Sequence, residues 1–209
     1  MTIDDMREIL GIGPEVPDED VAEAYAAYTT ATIAETIIEE PISLELAKAQ
    51  CRVLDDSEDD LISGYIVAAR EFAEVHTGHV LMQRTVTETF RHFASPIMLL
   101  WRPVASISGI TYKDSDGTAQ TYVDAVYDAD AAPVEIYPLT AWPETRRNGV
   151  VKVAYLAGYE ADAVPQALKV AMLQMVAHWH ANREAVAAGS MVEVPQTAMD
   201  ILDKYRPVL

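Results

Sequence analysis

The hydrophobic period of this chain changes twice along its length, and that change sets the fold class. From Ser43 to Phe72 apolar side chains recur at helical spacing. From Arg84 to Leu156 they alternate with polar residues or form short runs, and from Val164 the helical spacing returns. A block of short strands set between helical segments reads as an α+β chain. We expect a helical bundle with a long helix in its C-terminal half and an inserted small antiparallel β-sandwich or barrel.

Local signals give the boundaries. Thr2-Ile3-Asp4-Asp5 reads as a capping box for a short helix ending near Leu10. Asp18 is placed to cap a second helix carrying Val21, Tyr25, Tyr28, Ile33 and Ile37 on one face, which Pro41 ends. Ser43 starts a third helix, with Leu44, Ala47 and Cys51. Ser57-Glu58-Asp59-Asp60 reads as another capping box, ahead of a helix that Gly78 closes. Residues 2–25 and 43–65 share this layout, a generic likeness that suggests a degenerate repeat.

Val86, Glu88 and Phe90 alternate with Thr87, Thr89 and Arg91, and Ile97–Leu100 is a short buried run. Strands over 107–112 and 119–126 flank Asp114-Ser115-Asp116-Gly117, a hairpin turn with glycine where positive φ is needed. Residues 134–137 and 150–156 bring the count to six strands. The last third holds a helix from Val164 to about Ala188, with Pro165 at its first turn. Between Val164 and Val176 only Gln166, Lys169 and Gln174 are polar. So apolar a helix needs cover on most sides, which points to a neighbouring subunit as well as the chain's own core. A short helix from Pro195 carries Met199, Leu202 and Tyr205, and Pro207 stops it. The chain therefore divides into an acidic helical extension (1–41), a first helical half (42–82), a β module (83–160) and a second helical half (161–209).

Charge bears on function. The net charge is −18, and residues 1–60 hold 17 acids against 3 bases while the rest hold 16 against 12. That balance excludes a protein that reads DNA by neutralising phosphates. It fits a solvated surface, or one that repels a polyanion or attracts a basic partner. One cysteine, Cys51, forms no intrachain disulfide. No apolar run reaches membrane-spanning length, and the acidic N-terminus lacks the pattern of a secretion signal. A chain made and kept in the cytoplasm, or released by lysis, is expected.

Catalytic patterns are missing. His178 and His180 lie two apart on a helix and point away from each other, so they share no metal. His76 and His79 bracket a helix end, where a cationic side chain favours the dipole. No phosphate loop, nucleophile elbow or zinc pattern occurs. The Asp55–Asp60 run fails the spacing of a calcium loop, since Leu61 falls where glycine belongs. Trp179 shares a stripe with Leu168, Met172 and Met175. Trp101 and Trp142 sit beside prolines at strand borders, where an aromatic closes a sandwich edge. No cofactor, metal or catalytic residue is expected.

Several stretches resemble the head–tail connector (adaptor) proteins of long-tailed bacteriophages and phage-like gene transfer agents. They are Ile42–Lys48, Asp55–Leu61, Ala68–Glu71 leading to His76-Thr77-Gly78, Trp101–Ile107, Tyr155–Tyr159, Val164–Lys169 through Trp179 to Ala185, and Tyr205-Arg206. The resemblance covers 42–209 and leaves 1–41 unexplained. It implies a non-enzymatic ring, usually of twelve subunits, under the portal at the neck of a virion or phage-like particle. The ring would extend the DNA channel without sequence-specific binding and join the capsid to stopper or tail proteins. It implies a subunit interface on the long helix, for which Leu168, Met172, Met175, Trp179 and Arg183 are the candidates. It implies portal docking through Met199, Leu202, Tyr205, Arg206 and Pro207. Part of the acidity is then expected to face the channel or a basic neck partner. A stopper or tail-terminator protein, and an enzyme or ligand-binding module on the β-sandwich, are the alternatives.

Overall fold

The computed structural model describes residues 29–33, 39–131, 133–146, 149–182 and 194–206. These fall into two units. A helical unit takes in 37–83 and 159–208, and a β unit takes in 84–158 together with the strand at 29–33.

The helical unit opens with α1 (Leu44–Cys51), capped as expected by the Ser43 hydroxyl, which accepts from the Leu46 amide at 3.2 Å. Arg52, at φ 60°, ends it in the left-handed conformation. The helix α2 (Asp59–Thr77) lacks the expected capping box. The Ser57 amide and hydroxyl both turn back to Asp55 Oδ1, and Glu58 takes the cap position without its side chain bonding a helix amide. An aspartate two residues upstream offers Ser57 a nearer partner than the helix amides do. Gly78 closes α2 at φ 66°, its amide bonded to the Glu74 carbonyl at 2.9 Å. The helix α3 runs over Gln166–Ala181, with Pro165 at the cap rather than inside the first turn. The helix α4 (Gln196–Leu202) continues into a 3₁₀ turn, Asp203–Tyr205. The proposed caps at Thr2 and Asp18, the repeat with 2–25 and the extension to Ala188 lie outside the described residues.

One apolar cluster fills this unit. Ile62, Ile66, Ala69 and Ala73 of α2 meet Leu168, Ala171, Met172, Met175, Val176 and Trp179 of α3, with Ala47, Ala198 and Leu202 closing the sides. At roughly 25 cal/mol per Å² of apolar surface removed from water, such stripes supply most of what holds short helices together.

Eight strands make up the described β unit: β1 (Thr29–Ile33), β2 (Arg84–Phe90), β3 (Ile97–Leu99), β4 (Val104–Lys113), β5 (Ala119–Tyr122), β6 (Ala125–Tyr127), β7 (Val134–Pro138) and β8 (Val151–Ala157). They form a five-stranded sheet in the order β1-β2-β8-β4-β5 and a three-stranded sheet in the order β3-β7-β6. All pairings are antiparallel. Both sheets keep open edges, so the insert is no closed barrel. Residues 119–126, read as one strand, divide between the two sheets as β5 and β6. Gly117 supplies the expected positive φ, 86°, in the β4–β5 turn.

The strand β1 corrects the helix expected from Asp18 to Pro41. Thr29, Thr30, Thr32 and Ile33 are β-branched, and the segment pairs along β2 from Thr29↔Phe90 to Ile33↔Val86. A free sheet edge and four stiff side chains in five residues outweigh a sparse helical stripe.

Candidate assembly surfaces

The structure places the predicted interface residues of α3 together, but inward. Leu168, Met172 and Met175 are wholly buried and Trp179 is 4% exposed, against α2, α1 and α4 of the same chain. Trp179 meets Tyr65 with ring centroids 6.2 Å apart. A side chain enclosed by its own subunit has no surface left for a neighbour, so these four serve the core. Sequence spacing groups the residues of a stripe without saying whether a second helix of the chain covers it. Arg183 lies outside the described residues.

The opposite face of α3 stays open. Ala167, Val170, Ala177 and Ala181 follow one another at steps of three, seven and four residues, with Val170 43% exposed. No charged side chain stands among these four. On α2, Leu61, Val67 and Val75 are exposed on the side away from the core, Val75 at 77%. A Cβ added at Gly64, between them, would meet open space. Large apolar side chains turned to solvent on two ordered helices are the surfaces a neighbour would cover.

The C-terminal segment is pinned rather than free. His76 Nε2 lies 2.8 Å from Asp203 Oδ1, and the His76 ring stacks on Phe72. The His79 ring stacks on Tyr159, with its Nδ1 2.7 Å from the Tyr159 hydroxyl, and meets Tyr205 edge-on at 5.9 Å. Both histidines thus hold the end of α2 to the last turn of the chain. Of the predicted docking residues, Leu202 is buried in the core, Met199 and Tyr205 are half-buried, and Arg206 is exposed beside Asp203 at 3.9 Å. Leu202 is therefore a core residue in this fold, and Pro207 lies outside the described residues.

The β unit holds a group that sequence reading passed over. Glu88 is fully buried on the inner face of β2, between Val86 and Phe90. Its Oε1 accepts from the Tyr155 hydroxyl, from the Leu100 amide at 2.9 Å and from the Trp101 amide at 3.3 Å. Its buried Oε2 has no partner. Burial pushes this carboxyl up to about 7, against the opposing pull of those three donors. Tyr155 is pushed well above the usual phenol range by its own burial and by the Glu88 charge. The arrangement ties the 100–101 backbone to the sheet. Its signal was legible, since a glutamate shared the face of Val86 and Phe90.

Elsewhere the polar side chains serve structure. Arg70, 5% exposed, pairs with Glu74 at 3.1 Å and Glu40 at 2.9 Å, while Glu74 Oε1 accepts from the Leu81 amide. His180 lies 2.7 Å from Glu58. Trp142 stacks on Phe93 at 4.6 Å and meets Tyr122 at 5.0 Å. Cys51 is half-buried against the helical core. Among the described residues no cluster of three or more His, Cys, Asp or Glu is arranged to hold a metal, and no helix is long and apolar enough to cross a membrane.

Residues 41–130, from the start of the helical core through most of the strands, match the family model described as phage gp6-like head-tail connector protein. Over that stretch the chain is similar to the head–tail connectors. The fold agrees over a longer span. A chain from the neck of an empty gene transfer agent (GTA) particle, computed with C6 symmetry, superposes with a TM-score of 0.73. It is 21% identical, and the match covers 86% of this chain and 96% of that one. A chain from the virion of a native GTA particle gives a TM-score of 0.71 at 20% identity, over 86% and 96% of the two chains. A third, from the neck of a native GTA particle computed with C12 symmetry, gives 0.63 at 21% identity, over 85% and 96%. Among curated proteins no match is found. The family match begins just before α1 and ends beyond β6, so β1 lies outside it.

Proposed function

We propose that this chain is a structural adaptor: one subunit of a ring that docks under the portal, extends the DNA channel and links the capsid to stopper or tail proteins. The observation that carries this reading is the connector family match over α1, α2 and β2 to β6, which takes in part of each unit. Fold likeness to neck chains computed with C6 and with C12 symmetry supports a ring, and a count of twelve satisfies both symmetries. The work of such a protein is assembly rather than chemistry, and the open apolar faces of α2 and α3 suit it.

Ring contacts fall to the outward stripe around Val170, because the inner stripe is already occupied. Portal docking falls to the C-terminal segment, through Met199, Tyr205, Arg206 and Pro207. DNA passes an acidic protein without being held, since like charge repels phosphate.

Mixing the purified chain with purified portal tests the reading. The full chain binds portal in a complex of defined stoichiometry, and a chain lacking 195–209 does not. A full chain that ignores portal and binds only tail components would mark a stopper or terminator instead.

A further inference from the structure

An exposed apolar strip lies on the three-stranded sheet, far in sequence from the helical faces discussed above. Val126 of β6 stands directly opposite Tyr137 of β7. They are 51% and 45% exposed. The ladder continues past the strand ends, for the Leu139 amide donates to the Asp124 carbonyl at 2.7 Å. Strand alternation then puts Leu139 on the side of Tyr137, and Leu139 is 66% exposed. Val123, in the β5–β6 connection, is 80% exposed. The Tyr137 hydroxyl donates to Glu135 Oε2 at 2.6 Å, which holds the ring in place.

The segment that carries this strip has charge of one sign. Between Ala119 and Leu139 stand Asp124, Asp128, Asp130 and Glu135, and no lysine or arginine. Isolated exposed apolar residues need no explanation, but Val126, Tyr137 and Leu139 along one short ribbon form a patch of the kind that marks an interaction surface. A carboxylate rim favours a partner with a basic rim, disfavours nucleic acid, and disfavours a second copy of this acidic patch meeting itself.

We infer that the β6–β7 ribbon is a docking surface for another protein whose contact surface is apolar at its centre and basic at its edge. The inference rests on the adaptor reading only for where that partner is found, namely in the assembled particle.

The test uses particles assembled with the full chain carrying a photo-crosslinking phenylalanine derivative in place of Val126. Irradiation of purified particles joins position 126 to a peptide of a different polypeptide that carries lysine or arginine beside apolar residues. Adding Asp124→Lys and Asp130→Lys, both at exposed positions, lowers the yield of that product about tenfold, because like charges then face each other. Thermal melting of the purified variants confirms that they fold, and Asp124→Lys alone serves where the double variant does not. A product with a second copy, with DNA or with an acidic peptide overturns the inference, as does no product in particles that contain the chain. Particles that lack the chain altogether overturn the adaptor reading, and with it the place given to the partner.

Discussion

Glu88 shows how one residue couples stability to pH. Its carboxyl is raised from 4.5 to about 7 because burial penalises the charged form more than three donors favour it. The unfolded chain releases this proton near 4.5 and the folded chain near 7, so the folded state binds more protons between them. The contribution is therefore fully present below pH 4.5, declines as pH rises and is lost above about 7. The shift corresponds to about 3 kcal/mol. Glu88→Gln keeps an acceptor near the Leu100 and Trp101 amides and removes the ionisation. It should be more stable than the parent at pH 8, and the difference should shrink toward pH 5 in paired denaturant titrations. Equal slopes for the two proteins would contradict this account of the site. The glutamate was legible as a residue on the face of Val86 and Phe90. Its partner was not, because Tyr155 lies 67 residues away and only the β2–β8 pairing brings the two strands together.

At the level of elements, the long helix divides its labour by face. Leu168→Ala should cost 2–5 kcal/mol, roughly, by opening a cavity in the helical core. Val170→Asp should change stability by about 0.5 kcal/mol or less, yet dissociate the ring, since it puts a charge on the outward stripe. Thermal melting together with mass measurement in solution separates the two. A Val170→Asp chain that still forms the ring would move the interface off α3. The C-terminal turn makes a further prediction. Asp203→Ala removes the partner of His76, a half-exposed pair worth less than about 1 kcal/mol, so global stability barely moves. Hydrogen exchange across 203–206 should nonetheless quicken, because the His76 pair ties that turn to α2. Helical period predicted α2, α3 and α4 and the residues of each stripe. It did not predict which stripe the chain itself encloses, because α1 and α2 reach α3 from distant parts of the sequence. The strand β1 was missed for a related reason: five residues pair with an edge that forms only when the whole sheet does.

For the whole molecule, the two-fold change of period told most of the architecture: helices, an antiparallel insert, helices again. What it left out was the split of eight strands between two open sheets, since pairing order is set by contacts across the module rather than by local pattern. The negative charge, −18 overall, takes a more limited meaning than it had at the start. Acids within the described part of residues 1–60 are partly engaged in the fold: Asp56 and Asp59 clasp Lys48, and Glu58 meets His180. The acidity of the β6–β7 ribbon, by contrast, surrounds exposed apolar residues and so bears on partners. The central claim is that this chain builds a ring at the head–tail junction. An image of the particle's neck with subunits traced tests it most directly. The account predicts a closed ring of this chain beneath the portal, with α3 presenting Val170 and Ala177 to the adjacent copy. A neck without this chain, or with it as isolated copies away from the portal, would contradict it.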